Sequence, residues 1–413
     1  MYGQSALSEI DWSRYRLTPT RIIFICGLLL SIAVGVSIIQ FSQSRENILP
    51  GGAPVGGDYV AFYGAAVAVK DGDAAKTYDY AAFETHLLEV GPPRGSYTLT
   101  WQYPPTYFLI IAPLAFLPFI AGYIAWTGGT AALYFAALQQ AKVRWLFLFV
   151  ILSAPSTFHA IITGQNGFLT ATLLLIAALY PDKRPIIAGL AAALLTVKPQ
   201  IGVLLPIAYI AAGCWRAFFI AATGSILFAM STVGFFGIGI WEAFLVGADE
   251  ASHRLQNGIL PLYKMVTPYA WLKYSGAPLS VAIAGHTLCA LIAVFAVTRV
   301  WLRVPDHELR AAALGAAVFI VAPYGYYYEM IILAFPIAIL AKRGLENGWL
   351  RFEEISLALM FIGPMMMPGQ EKRVGVSVGF LCVALVAASV FRRIEHDYPG
   401  TLTSFRRPSA TAK

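Results

Sequence analysis

The chain has 413 residues, of which 58% are hydrophobic, 14% aromatic and 12% charged, with a formal net charge of +7. A soluble domain carries roughly 25% charged residues, so this composition excludes a soluble globular enzyme, a disordered chain and a disulfide scaffold. It points to an all-α polytopic membrane protein, and the continuous apolar segments exclude a transmembrane β-barrel, whose strands alternate.

A hydrocarbon core about 30 Å thick takes about 20 helical residues. The first apolar run covers roughly 22–41, and Arg14, Arg16 and Arg21 before it place the N-terminus in the cytoplasm. Glu9 and Asp11 in that flank, with no clean small-residue cleavage site after the run, mark an anchor rather than a removed signal peptide. A polar stretch, roughly 42–103, follows as a long first extracytoplasmic loop.

The run at roughly 104–140 is interrupted by Pro113, Pro118 and Gly122 and reads as one span entered through an oblique or interfacial helix. Runs at roughly 145–162 and 168–181 flank the turn Thr163–Gly167, and short runs at roughly 185–197 and 199–213 flank Lys198-Pro199. A run near 217–241 leads to a second outer loop at roughly 247–278. Further runs lie at roughly 279–301, 311–327, 330–341, 355–367 and 373–391, with basic residues such as Lys183, Arg303, Lys342 and Arg392 marking the cytoplasmic side. This gives about twelve spans in a single integral membrane domain, 1–413, with both termini cytoplasmic and a polar, loose tail over 394–413. Several spans are short enough to be buried in the bundle or partly re-entrant. Mapped this way, the basic residues follow the membrane and give no nucleic-acid signal. Cys26, Cys214, Cys289 and Cys382 lie in or beside apolar stretches and read as small core residues.

Four places on the outer side carry residues suited to chemistry. Asp58 opens a helix expected over roughly 59–70, with Tyr59, Phe62 and Tyr63 at helical spacing from it. It is either an N-cap or a general base at a membrane–water cleft. Tyr97 to Tyr107, with Trp101 and Tyr103, is either an interfacial aromatic belt entering a helix through Pro104-Pro105 or a stacking wall for a sugar. Gln165 and Asn166 are either a self-satisfied turn or a pair of amides for a polar substrate. Lys198 and Glu329 stand at or near membrane depth, where an ionisable group is costly. They form a structural ion pair, or Lys198 snorkels to the interface, or they are part of a site, and His253 and Arg254 in the second outer loop are candidate phosphate ligands or ordinary loop charges.

In chain order, Asp58-Tyr59 to Ala66, Tyr103-Pro104-Pro105 into Ala112-Pro113-Leu114, Gly164-Gln165-Asn166, Lys198-Pro199-Gln200, Val266–Tyr269 to Gly276 and Pro323–Glu329 resemble glycosyltransferase family 87. These are polyprenyl-phosphate-sugar-dependent mannosyltransferases of the GT-C class. The resemblance implies a GT-C-like bundle and an inverting transfer of a hexose, mannose by analogy, from a polyprenyl-phosphate sugar to a lipid or glycan acceptor. The place implied is the outer face of a bacterial plasma membrane.

The family's catalytic acid falls on Asp58. Tyr59, Tyr63, Trp101, Tyr103 and Tyr328 become candidates for the sugar site, and Gln165 and Asn166 for its hydroxyls. Lys198, His253 and Arg254 become candidates for the phosphate. The chain departs from the family where Glu329 follows Tyr328 in place of the Asp expected there. No metal-ligand cluster is visible, so no cofactor is expected, with a weakly held divalent ion on the donor phosphate left open. The competing reading is a multi-span transporter or flippase using Lys198 and Glu329 as a coupling pair. The absence of an internal repeat speaks against it.

Overall fold

The computed structural model describes residues 17–92, 99–367 and 377–404. The flanking residues Glu9, Asp11, Arg14 and Arg16, the start of the aromatic segment at Tyr97 and Thr98, the beginning of the last apolar run and the tail beyond 404 lie outside them. Among the described residues the fold is helical and contains no strand.

The chain opens with α1 (Pro19–Ser42), then folds the first polar stretch into α2 (Tyr59–Lys70), a 3₁₀ turn (Ala74–Tyr78) and α3 (Tyr80–Val90). Prolines divide the next apolar run into α4 (Thr106–Ile111), a 3₁₀ turn (Ala112–Phe116) and α5 (Phe119–Gln140). There follow α6 (Trp145–Ser153), α7 (Pro155–Thr163), α8 (Gly167–Leu179), α9 (Pro185–Leu194), α10 (Pro199–Gly202) and α11 (Leu204–Ala212). The remainder is α12 (Trp215–Phe236), α13 (Gly239–Gln256), α14 (Pro268–Tyr274), α15 (Leu279–Arg303), α16 (His307–Val321), α17 (Ala334–Asn347), α18 (Glu353–Ile362) and α19 (Val378–Asp397).

Among the described residues three helices, α1, α12 and α15, are long and apolar enough to cross a bilayer; the bent pair α6–α7, broken by 56°, makes a fourth if taken as one span. These stand where about twelve spans were expected. The difference has a local cause. Proline and glycine interrupt most of the other apolar runs, and the resulting short helices pack against one another. The outward faces of the three long helices remain apolar: Phe24, Leu227, Phe235 and Leu291 are all exposed. Such a continuous apolar surface needs lipid or protein over it.

Two apolar cores form. The larger joins α5, α8, α9, α11 and α15 to α19; the smaller joins α2, α3, α4 and the start of α5 with Val197 and Ile240. Leu169 of α8 packs against both. The described residues of the long first loop thus form helices docked on the bundle. In this core Phe62 meets Trp101, Tyr103, Tyr107 of α4 and Trp126 of α5 at ring separations of 5.5–6.0 Å.

Two of the expected loop and tail segments carry structure of their own. Much of the 247–278 stretch is helical, since α13 runs on to Gln256 and α14 occupies 268–274. Nor is 394–404 loose. Glu395 accepts from the backbone N–H of Gly400 and Leu402 at 2.8 and 2.7 Å, and Arg303 donates to the Gly400 carbonyl at 2.8 Å. At the ends expected on the cytoplasmic side, Lys342 pairs with Glu308 at 2.8 Å, Arg343 with Asp306, and Arg393 with the buried Glu353.

Candidate active site

Where the two cores meet lies a cavity of about 500 Å³, walled by Asp58, Gln102, Tyr103, Gln165, Lys198, Arg254, Lys264, Tyr324, Tyr326 and Tyr328 among others. Its geometry starts from two turns packed backbone to backbone. Gly164 ends α7 in the left-handed region (φ +58), and a Cβ there would come within 2.6 Å of Tyr59 Cβ and 2.9 Å of the Gly56 carbonyl oxygen. Gly57 (φ +52) would likewise place a Cβ 3.0 Å from Thr163 Cα. Only residues without a side chain allow this approach. The contact brings Asp58 beside Gln165, 107 residues away in sequence. Trp126 Nε1 donates to the Gly164 carbonyl at 3.1 Å and Tyr123 Oη to the Ile161 carbonyl at 2.8 Å, which fixes the turn from the other side.

Asp58 stands at the N-cap position of α2, but its side chain makes no capping bond. Thr18, Asp79, Thr267, Asp306 and Ser377 all do cap their helices. The Asp58 carboxylate lines the cavity instead and accepts from Gln165 Nε2 at 2.9 Å. Burial raises the Asp58 pKa above the usual carboxylate range, even though the Gln165 bond and the charges of Lys264 and Lys198 oppose the shift. Gln165 Oε1 in turn accepts from Tyr103 Oη at 3.1 Å and from the Asn166 N–H at 3.4 Å.

Lys198 follows a 3₁₀ turn, Leu195–Val197, and precedes α10. Its ammonium pairs with Glu329, donates to Asn166 Oδ1 at 3.2 Å and lies 5.4 and 6.0 Å from the ring centres of Tyr103 and Tyr328. Glu329 is fully buried and also accepts from the Tyr326 N–H at 2.8 Å, closing the start of the 3₁₀ helix Tyr327–Leu333. That helix presents Tyr328 to the cavity, its ring stacked on Tyr326 at 5.3 Å. The 259–267 segment joins the same wall, with Met265 bridged to Tyr326 and Val266 N–H donating to the Gly325 carbonyl at 2.9 Å.

The structure thus gathers Asp58, Tyr103, Gln165, Lys198, Arg254 and Tyr328 on one cavity. It places the other candidates elsewhere. Tyr59 is fully buried between Tyr63, Phe119 and Tyr123, and Tyr63 packs on Phe119 at 5.3 Å, so both serve the core of the first loop. Trp101 stacks on Phe108 and Tyr107 behind Tyr103. Asn166 and Glu329 stand behind Lys198, while His253 is exposed on α13 and does not line the cavity. Arg254 does line it, with Nε on Glu250 at 2.7 Å and the guanidinium 4.0 Å from the Tyr80 ring centre.

Lys264, Tyr324 and Tyr326 were not singled out as site residues. The two tyrosines lie in the Pro323–Glu329 motif, and Lys264 is a basic residue in the 247–278 stretch that the sequence reading assigns to the outer side, against the positive-inside trend. Among the described residues, Lys264 has no carboxylate within ion-pair distance. Nor do the described residues contain a group of three His, Cys, Asp or Glu arranged to hold a metal ion.

A family model, Glycosyltransferase family 87, matches residues 101–323, more than half of the chain. No curated protein and no solved structure matches it. Asp58 and the Tyr326–Glu329 segment lie outside the matched residues.

Proposed function

Since the chain belongs to glycosyltransferase family 87, a family of membrane glycosyltransferases, we propose that it moves a hexose, mannose in the first instance, from a polyprenyl-phosphate sugar to a hydroxyl of a lipid or glycan acceptor. The reaction inverts the anomeric carbon and takes place at the outer membrane–water boundary. The observation that carries this reading is the Asp58 carboxylate, turned away from its own helix and into the cavity.

Inversion needs one displacement. The acceptor oxygen bonds to the anomeric carbon, the bond from that carbon to the phosphate oxygen breaks, and the electron pair leaves with the phosphate. Asp58 takes the acceptor proton as attack begins, and such a base contributes typically about 10²–10⁴-fold. A raised pKa suits this task, because the carboxylate is then a better base than an exposed one. Charge gathering on the departing phosphate needs a cation aimed at it in a water-poor site. Lys198 is committed to Glu329 and Asn166, and Arg254 to Glu250, so Lys264 is the cation assigned to the phosphate. Tyr103, Tyr326 and Tyr328 offer ring faces to the sugar. We assign the prenyl tail to a second pocket of about 340 Å³, lined by Leu195, Val203, Pro206 and Phe218, which shares Pro199 with the polar cavity.

The test is transfer by purified protein from carbon-14-labelled polyprenyl-phosphate mannose into a membrane lipid extract, with Asp58→Asn alongside. Label should move with the wild type alone. Equal transfer by Asp58→Asn would remove Asp58 as the base, and no transfer from any prenyl-phosphate sugar would remove the donor class.

A further inference from the structure

Gln165 has the residue type expected of a sugar ligand, yet its amide is largely occupied. Two donors converge on Oε1: Tyr103 Oη at 3.1 Å and the Asn166 N–H at 3.4 Å. The Asn166 N–H can only donate, so it fixes which end of the amide is oxygen. Nε2 is thereby turned to the Asp58 carboxylate, 2.9 Å away. Were the amide reversed, its oxygen would face the carboxylate and two acceptors would meet. Tyr103 is itself well placed to hold this arrangement. It is packed against Trp101 and Tyr107 at 4.9 and 4.6 Å and lies under the Lys198 ammonium.

We infer that Tyr103 and Gln165 are positioning residues for Asp58: the phenol locks the orientation of the amide, and the amide holds Oδ2 of the carboxylate so that Oδ1 is left for the acceptor hydroxyl. The inference rests on the reading of Asp58 as the base. It removes Gln165 from the sugar-binding set and gives the Tyr103 hydroxyl a role separate from that of its ring.

The other groups facing Asp58 are Lys264 from the 3₁₀ turn Leu262–Lys264, Lys198 from the turn before α10, and Tyr326, Tyr327 and Tyr328 from the segment after α16, with Glu329 behind Lys198. The two lysines favour the ionised carboxylate, and the tyrosines stay neutral over the range in which a carboxyl titrates. Against that background the Gln165 N–H is the neutral donor whose loss should be visible in the proton affinity of Asp58. A hydrogen bond to the charged form lowers a carboxyl pKa, so losing it raises the pKa.

The experiment is an infrared titration of the detergent-purified protein, using the protonated-carboxyl band that disappears in Asp58→Asn. Gln165→Ala should move the midpoint of that band up by about one pH unit, a tenfold change in proton affinity. Gln165→Glu should move it further, because two carboxylates then share the site. Tyr103→Phe keeps the ring and its stacking, and should give a smaller shift in the same direction with a matching shift in the acid limb of the transfer rate. A midpoint unchanged in both Gln165→Ala and Tyr103→Phe would overturn the inference. If Gln165→Ala does not fold, Tyr103→Phe decides alone. The reading of Asp58 is judged separately: wild-type transfer by Asp58→Asn removes the base, and the positioning role with it, whatever the titrations show. Loss of transfer in Asp58→Asn with unmoved midpoints overturns the positioning role only.

Discussion

Replacing Lys198 by methionine keeps most of the unbranched side chain and deletes its charge. Glu329 is fully buried, so in this variant its carboxylate keeps only the Tyr326 N–H, at 2.8 Å, from the partners it has now. Removing one member of a buried ion pair costs about 3–5 kcal/mol, most of it the penalty for the stranded charge. Glu329→Gln is gentler. Lys198 retains Asn166 Oδ1 at 3.2 Å and the ring faces of Tyr103 and Tyr328, so a loss of about 1–3 kcal/mol is expected, the scale of a hydrogen bond to a charged group. Lys198→Met/Glu329→Gln removes both charges of the pair and strands neither. It should be more stable than Lys198→Met, with a coupling energy of at least about 1.5 kcal/mol. Equilibrium unfolding in mixed detergent micelles, followed by tryptophan fluorescence, measures all four proteins. If Lys198→Met unfolds within about 0.5 kcal/mol of the wild type, as an unremarkable surface change does, or if the single changes simply add, the ammonium is not committed to Glu329. The assignment of the phosphate to Lys264 would then lose its main support.

Lys264→Gln should raise the donor KM about tenfold or more while changing kcat less, since it removes a charge-assisted contact to the phosphate; Arg254→Gln, whose guanidinium is already engaged by Glu250, should have the smaller effect in the same assay. The acid limb of kcat/KM should lie above the ordinary carboxylate range, because burial raises the Asp58 pKa and activity is lost as falling pH protonates the base; a limb at or below the range of exposed carboxyls would contradict this. Gly164→Ala should destabilise the protein by about 2 kcal/mol or more, combining the left-handed backbone cost of about 1–2 kcal/mol for a residue with a Cβ with overlap against Tyr59 Cβ at 2.6 Å. A melting temperature equal to the wild type would show that the two packed turns are not required.

What could be read from the sequence followed from local rules, and what could not depended on distant contacts. The α2 boundaries were legible because Asp58 and the Asp71-Gly72-Asp73 stop signal bracket an apolar stretch. The pairing of Lys198 with Glu329 was legible as one of several alternatives, because ionisable groups near membrane depth have few other partners. That the Asp58 side chain leaves its own helix uncapped was not, because its partner Gln165 arrives from another helix pair across the Gly57–Gly164 contact. The aromatic residues divided for the same reason. Tyr103 and Trp101 have similar surroundings in sequence, but Phe108 and Tyr107 stack over the indole and leave only the Tyr103 ring on the cavity. Lys264 was passed over because nothing local distinguishes it from an ordinary loop charge. Its significance comes from the carboxylates that neutralise its neighbours. The count of about twelve spans is not matched helix for helix among the described residues, since apolar length alone does not reveal where proline and glycine break a run inside a bundle.

Those breaks also explain why the site is where it is. A backbone group inside a bilayer must be paired unless it lines a polar cavity, so each interruption of an apolar helix is costly unless several converge on shared polar space. Here they converge. Asp58 stands at the start of α2, Gln165 between α7 and α8, Lys198 between a 3₁₀ turn and α10, Lys264 at the end of another 3₁₀ turn, and Tyr326 at the head of the 3₁₀ helix Tyr327–Leu333. The three long apolar helices contribute none of these groups. The division follows from the two solvents such an enzyme must meet. Unbroken helices satisfy their own backbone and can face lipid, whereas helix ends supply free donors, acceptors and short polar side chains to the polar groups of a sugar donor and its acceptor. Donor and acceptor selectivity should therefore reside in the connecting segments 99–104, 164–166, 197–200, 257–267 and 322–328, and the lipid-facing faces of α1, α12 and α15 should tolerate apolar exchange.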